Sequence, residues 1–546
     1  MIVTLIGCLG SLSTHAVTIF VNNSADTIGP QQTLFQRCVN QLPAGQCTLR
    51  AANMLSNQLV GADTIVLPAT TYTLWLGELK FVGDVTLQGA GPLITVINNA
   101  ANKKNRILNF TQANKVALLN LTVRGGVLEA YEGQPYKYES GAGVRAVGVS
   151  DFIVDNSRIV NNTISMKAGP WPEGFQETDK SAASGLYVEG GLSLINGSWV
   201  SQNKIVFANI NKPAAVYDTS SIYAISKAQQ KITIQNSFIE NNSGAEYVQG
   251  YDFFSIIRLH GEAINIGRSF FRKNDMQIEI GTHAGTVTIS ESHFQDVRSN
   301  QNIVISVGTG LLSMSGSAFE EAPVMVTNNA VEGSNTDSLR PNIIVNNTFR
   351  LSNRPSQIPS PFDKTLAIAH YGSVESVRST VVNHNTFDFE ASALDHHLYT
   401  DMAAVYIESP TVIQSNIINA HAEPGYMHEV FPCYINTGYQ EAFPLNNLGG
   451  NLIFSPDLTQ NTENEFNCAL SGSDMDPAEP QLDELKWNGG WTPTMALLPG
   501  SPALSTAPEP IGISVPFDQR GKKRPQGTGR DIGAFEAAGG PVPNFD

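Results

Sequence analysis

The feature that most constrains this chain is a degenerate repeat. Each copy is an alternating apolar strand, a polar pair built from Asn, Ser or Thr, and a second short apolar strand. Clear copies are Ile153-Val154-Asp155-Asn156-Ser157-Arg158-Ile159-Val160, Leu194-Ile195-Asn196-Gly197-Ser198-Trp199-Val200 and Ile232-Thr233-Ile234-Gln235-Asn236-Ser237-Phe238-Ile239. Weaker copies place the hydroxyl at Ser269, Ser292, Ser317, Thr348 and Thr386, followed within two residues by Phe270, Phe294, Phe319, Phe349 and Phe387. From Ser157 to Thr386 the steps are 41, 39, 32, 23, 25, 31 and 38 residues. A short period with variable insertions is the signature of a solenoid, in which each unit buries its apolar face only against its neighbours.

Period-2 alternation with parallel stacking implies an all-β, right-handed parallel β-helix. Residues Ile234, Phe238, Ile266, Phe270, Ile289, Phe294 and Phe319 are then expected to be buried in one column. Turn asparagines tolerate left-handed backbone and bond locally, so Asn156, Asn196, Asn236, Asn347 and Asn385 are expected to form a ladder. Several Asn-X-Ser/Thr triplets, Asn196-Gly197-Ser198 among them, look like glycosylation acceptors, but their place on the repeat makes turn chemistry the better account. A further strand precedes each pair, at 185–189, 222–225, 254–260, 277–280, 303–307, 366–370 and 405–408.

Composition agrees with this reading. Charged residues make up only 15% of the 546, against roughly 25% in ordinary soluble domains, and neutral turn residues supply the polarity instead. The net charge of −16 argues against a nucleic-acid partner, which needs a basic field. Residues 1–16 read as an export signal with small residues at the cleavage positions Thr14 and Ala16; Leu5-Ile6-Gly7-Cys8 also fits a lipoprotein box. No other stretch is apolar for long enough to be a transmembrane segment. With Cys8 removed, four cysteines remain. Closeness in sequence favours Cys38–Cys47 and Cys433–Cys468 among the three pairings, consistent with a secreted, extracellular or cell-surface location.

Near the N-terminus, Cys47-Thr48-Leu49-Arg50-Ala51-Ala52-Asn53 precedes Gly61-Ala62-Asp63-Thr64-Ile65-Val66-Leu67-Pro68. This resembles the motif of CSLREA-domain proteins, which are exported bacterial β-helix proteins, except that Ala51 stands where the family usually has Glu. Near the C-terminus come Asn488-Gly489-Gly490-Trp491-Thr492-Pro493-Thr494, Asp518-Gln519-Arg520-Gly521, Arg524-Pro525 and Asp531-Ile532-Gly533-Ala534-Phe535-Glu536. That series is similar to the choice-of-anchor Q domain. The resemblance implies an N-terminal helical cap and a C-terminal capping domain on a pectate-lyase-like helix, and it carries no catalytic set. The implied division is 1–16 signal, 17–62 N-terminal cap, 63–455 β-helix, 456–536 C-terminal cap and 537–546 tail. The tail contains no apolar helix or basic stop, so no anchor is expected there.

Two constellations bear on chemistry. In pectate-lyase-like helices the strand preceding the pair usually forms the binding cleft. Inward Leu186, Ile257, Ile278 and Ile305 direct Tyr187, Glu189, Arg258, His260, Glu279, Tyr406 and Glu408 outward. Arg258, His260 and Glu279 are candidates for catalysis. Tyr187, Glu189, Tyr406 and Glu408 are candidates for sugar contact. The second constellation is a loop holding Asp395, His396 and Asp401, a weak candidate for Ca2+. Three classes follow: a non-catalytic protein binding a polysaccharide or cell-surface glycan, a polysaccharide lyase or glycoside hydrolase, and a structural protein that self-associates outside the cell. The first is the reading adopted from sequence.

Overall fold

The computed structural model describes residues 16–538 apart from position 30 and the stretches 41–45, 132–139, 168–181, 209–218, 227–230, 244–254, 275–276, 298–302, 330–339, 353–364, 372–377, 392–401, 423–429, 437–444 and 457–467. The chain divides into two compact units, Met1–Val216 and Tyr217–Asp546. Each is a right-handed parallel β-helix whose coils contribute one strand to each of three faces. Among the described residues, no helix is long and apolar enough to cross a membrane.

In the first unit, Leu79–Val82 and the leading halves of Leu108–Leu119 and Val144–Asp155 form face one. The trailing halves of the long strands pair with Val85–Gly89 and form face two. Face three runs through Val96–Asn99, Thr122–Arg124, Arg158–Val160 and Trp199–Ser201. The N-terminal segment supplies a strand as well as helices, because Thr18–Phe20 pairs with Asp63–Leu67. Two short helices follow that strand, α1 (Leu34–Cys38) and α2 (Leu49–Ser56). The Thr48 hydroxyl caps α2 by accepting from Ala51 N at 3.1 Å. Arg50 fastens the helix to the coils: its Nε meets Asp26 Oδ1 at 2.6 Å and its Nη2 donates to Gly77 O at 2.6 Å. Ala51 is fully buried. Cys38 and Cys47 are bonded, with Cα atoms 5.0 Å apart.

In the second unit, the corner between faces two and three explains the repeat. One residue per coil takes the left-handed conformation: Asn236, Arg268, Glu291, Gly316, Asn346, His384 and Ser415 on successive coils. The next residue points inward and is fully buried: Ser237, Ser269, Ser292, Ser317, Asn347, Asn385 and Asn416. These side chains form a ladder. The backbone N–H of Ser237 donates to Ser269 Oγ, Ser269 to Ser292, Ser292 to Ser317, Ser317 to Asn347 Oδ1, Asn347 to Asn385 and Asn385 to Asn416, at 2.9–3.3 Å. Each buried polar side chain thereby satisfies a backbone donor that the tight corner would leave unpaired.

This register corrects three expectations. Asn347 and Asn385, not Thr348 and Thr386, are the equivalents of the serines; the threonines lie one position later. The asparagines expected as one ladder divide among positions. Asn347 and Asn385 stack inside, Asn156 and Asn236 occupy the left-handed corner, and Asn196 lies one residue ahead of it, where Gly197 takes the positive φ. Finally, Phe238 and Phe270 are only half-buried. An inward serine forces the next residue outward and the one after inward, so the core column passes through Ile239 and Phe271. From there Phe271, Phe294, Phe319, Phe349 and Phe387 stack with centroids 4.7, 5.1, 4.8 and 4.9 Å apart. Ile234, Ile266 and Ile289 are buried as expected.

The C-terminal segment closes the last coil, where Ile453 N donates to Met475 O, and then runs back along the corner of earlier coils. Cys433 and Cys468 are bonded near this closure, with Cα atoms 5.0 Å apart. Arg524 and Glu536 form a completely buried ion pair at 2.7 Å. Arg524 also donates to Asp531 O and Gly533 O, while Arg520 lies 3.5 Å over the ring of Phe535 and pairs with Asp518 at 2.6 Å. The loop so braced docks on the ladder corner. Gly533 N donates to Ser415 O, Ala534 N to Thr386 Oγ1, and Thr348 Oγ1 to Gln519 Oε1. A Cβ on Gly533 would lie 2.7 Å from Ile417 Cδ1, so only glycine fits there.

Candidate functional site

Face one of the second unit carries an outward row set by the parallel register. Tyr223, Arg258 and Glu279 occupy equivalent positions on adjacent coils, and Tyr406 and Tyr434 extend the same row farther along. Arg258 lies directly across from Glu279, with Nε 3.2 Å from Oε2. His260, two residues along, brings Nε2 to 2.7 Å from Glu279 Oε1. Gly281 stands across from His260. A Cβ there would lie 2.8 Å from His260 Cε1, so the missing side chain is what lets the ring settle. Arg258, His260 and Glu279 are each partly exposed. The three candidates therefore form one cluster: a guanidinium and an imidazole share one carboxylate.

Farther along the row, Tyr406 and Tyr434 stack with centroids 5.6 Å apart. The Tyr406 hydroxyl reaches Glu408 Oε2 at 3.5 Å, and Asn436 Nδ2 donates to it at 3.1 Å. Burial pushes the Tyr406 phenol up, so it remains a neutral donor at physiological pH. The first unit holds a matching pair. Tyr187 donates to Glu189 Oε2 at 3.5 Å, but Tyr187 is only 3% exposed although it points away from the core. It faces Arg145 in register, and Arg145 Nη1 donates to Asn109 Oδ1 at 3.3 Å. Desolvation, then the neighbouring Arg106, lowers the Arg145 pKa. Sequence reading missed Arg145, although its place between inward Val144 and Ala146 marks it as outward. Asp395, His396 and Asp401 lie outside the described residues. Among the described residues, no group of three or more His, Cys, Asp or Glu side chains could hold a metal ion.

Sequence reading also missed a groove on face three, because its roof comes from distant sequence. Its floor is the outward row Arg350, Asp388, Asn419 and Phe454, which stack coil over coil. Its roof is the antiparallel hairpin of Leu482–Lys486 and Thr494–Leu497. The groove encloses about 1140 Å³. Arg350 pairs with Asp388 and, at 2.7 Å, with Glu390. Asn419 Nδ2 donates to Asp388 Oδ1 at 2.6 Å, while Asn419 Oδ1 is covered and accepts no hydrogen bond among the described residues. A smaller cavity of about 170 Å³ adjoins it at Leu485, floored by Arg272, Gln295 and Glu320 and bordered by Trp487. There the His293 hydrogen bond, as the largest influence, lowers the Glu320 pKa.

No protein-family model matches this chain, and no curated protein matches it either. Among solved structures it is similar to the catalytic unit of a thermostable GH87 alpha-1,3-glucanase from Streptomyces thermodiastaticus strain HF3-3, at 14% identity and a TM-score of 0.33. That match covers 74% of this chain and 64% of the other, so this chain spans less than two thirds of the glucanase unit. It is also similar to a PL6 alginate lyase in complex with a trisaccharide, at 13% identity and a TM-score of 0.33, covering 89% of this chain and 92% of that one. A third likeness, at 10% identity and a TM-score of 0.28, is to alginate lyase AlyF-OU02 in complex with G6, covering 83% of this chain and 88% of that one. Likenesses this distant assign neither a substrate nor residue roles.

Proposed function

We propose that this is an exported bacterial protein, extracellular or cell-surface, that binds an acidic glycan along face one of its second unit. The observation that carries the reading is the convergence of Arg258, His260 and Glu279 on adjacent coils. A guanidinium oriented by Glu279 and partly exposed is suited to meeting a sugar carboxylate in a planar fork. Tyr406, Glu408 and Asn436 add a neutral donor, an acceptor and an amide for sugar hydroxyls. The export reading rests on the N-terminal signal, the disulfides and the resemblance to CSLREA and choice-of-anchor Q proteins. The test is a titration of purified protein against a panel of acidic and neutral polysaccharides. Arg258→Ala should abolish acidic-glycan binding while leaving the unfolding midpoint within the effect of one surface pair, under about 1 kcal/mol. Unchanged binding by that variant sinks the reading.

One observation favours catalysis as a second reading. His260 held by a carboxylate at 2.7 Å is arranged as a general base. In a lyase it would take the proton next to a uronate carboxylate. The electron pair left behind forms the new double bond, the glycosidic C–O bond breaks, the leaving oxygen takes a proton from the His260 imidazolium or from water, and Arg258 offsets the carboxylate charge. Ultraviolet absorbance from that double bond, with and without added calcium, would decide between lyase and binder.

A further inference from the structure

We infer that the face-three groove beneath the C-terminal hairpin is a second binding site, and that it takes an uncharged glycan. This site shares no residue with face one and does not rest on the reading given for it. The floor is a row of one outward side chain per coil: Arg272, Gln295, Glu320, Arg350, Asp388 and Asn419 in successive register, ending at Phe454. With coils about 4.8 Å apart, the row extends on the order of 30 Å, long enough for several sugar rings.

Charge selects the class of ligand. Arg350 pairs with Asp388 and Glu390, Arg272 with Glu240, and Lys486 with Asp483. Glu479 and Glu484 add further negative charge to the lining. A uronate, sulfate or phosphate would meet a negative field whose cations are already engaged. Hydroxyl groups suit it well, because carboxylate oxygens accept from them.

Shape separates a sugar chain from a peptide. Pro456, Pro480 and Pro499 line the larger cavity and have no N–H with which to bind an added strand. Trp487 stands 55% exposed beside the smaller cavity, its ring 6.0 Å from Phe270 and 6.2 Å from His293. An exposed indole held by two ring contacts suits the apolar face of a pyranose.

The experiment titrates the full chain with soluble neutral polysaccharides (a β-glucan, a mannan and a xylan), polygalacturonate and oligolysine. It compares wild type, Trp487→Ala, Glu479→Gln and Arg258→Ala. Trp487→Ala should weaken one of the neutral glycans about tenfold, the loss of one aromatic contact, and Glu479→Gln should weaken the same glycan. Neither variant should change polygalacturonate binding, whereas Arg258→Ala should affect polygalacturonate alone. Failure of the face-one reading therefore leaves a different pattern from failure of this one. The inference is overturned if no neutral glycan binds, if Trp487→Ala leaves neutral binding intact, or if oligolysine is the ligand that the groove variants lose.

Discussion

The inward phenylalanine column predicts that two adjacent-looking aromatics differ sharply in what they contribute. Phe319 is fully buried between Phe294 and Phe349, with centroids 5.1 and 4.8 Å away. Phe319→Ala removes two stacks worth about 0.5–1.5 kcal/mol each within a total cavity cost of about 3–5 kcal/mol. Phe270 sits on the outer side of the same face, half-buried, 5.0 Å from Phe238 and 6.0 Å from Trp487. Truncating it opens no internal cavity, so Phe270→Ala should cost only about 1–2 kcal/mol. Coils unfold through their nearest neighbours, so a global midpoint alone would blur the difference. The decisive measurement is native-state hydrogen exchange, read on strands Phe270–Asn274, His293–Val297, Ala318–Glu320 and Thr348–Ser352. Phe319→Ala should lower protection on the strands either side of it, and Phe270→Ala should leave them near wild type. Equal losses, or a larger loss for Phe270→Ala, would refute the alternation that starts at the inward serine.

Arg524→Met should cost about 3–5 kcal/mol of docking for the C-terminal loop, because it strands a fully buried Glu536 carboxylate; limited proteolysis and fluorescence of Trp487 and Trp491 would report it. His384 is buried, and its pKa is held well below 6.5 by desolvation and then by Arg524 and Arg530. The folded chain refuses a proton that the unfolded chain takes, so this contribution is intact above pH 6.5 and falls below it, by up to about 1.4 kcal/mol per pH unit. Asp531 acts in the opposite direction: burial pushes it up to about 6 from 3.8, so its share is present below 3.8 and lost as pH rises through 6. Urea midpoints against pH for wild type and His384→Gln should diverge below pH 6.5, and parallel curves would discard the assignment. Gly281→Ala should displace the His260 ring and weaken acidic-glycan binding without unfolding the chain. Replacing Cys433 and Cys468 by serine should cost about 4 kcal/mol for the 35-residue separation, seen as a lower thermal midpoint of the second unit.

The coil architecture was legible because local alternation and corner chemistry repeat along the sequence. The exact member of each corner was not. Serine and asparagine both offer an oxygen to the neighbouring coil's N–H, so Ser317 gives way to Asn347 with no change in the ladder. A reading that follows the hydroxyl slips onto Thr348, and one that follows the nearest aromatic takes the outward Phe238 and Phe270 for core in place of Ile239 and Phe271. Arg258 opposite Glu279 was readable because the step between their coils is short and uninterrupted. The face-three groove was not, because Arg350 and Leu482 are brought together only by the docking of the C-terminal segment. No local pattern encodes that approach.

The same docking shows why a solenoid can hold two chemically different surfaces. The ladder and the phenylalanine column fix the pitch, so each outward row is free to vary as long as its neighbours tolerate it. On face one, Arg258 meets the Glu279 carboxylate, which His260 shares, and all three side chains are partly exposed. On face three, Arg350 is held by two carboxylates beneath a hairpin bearing further acids. The first sets one guanidinium beside one carboxylate; the second surrounds its guanidinium with an excess of acids. If both rows bind glycans, they must therefore divide them by charge. Exchanging Glu279 for Gln should weaken acidic binding on face one, since it removes the carboxylate that orients Arg258 and His260. A titration of Glu279→Gln against polygalacturonate checks this, and unchanged or tighter binding would show that Glu279 repels the anion rather than orienting Arg258 for it.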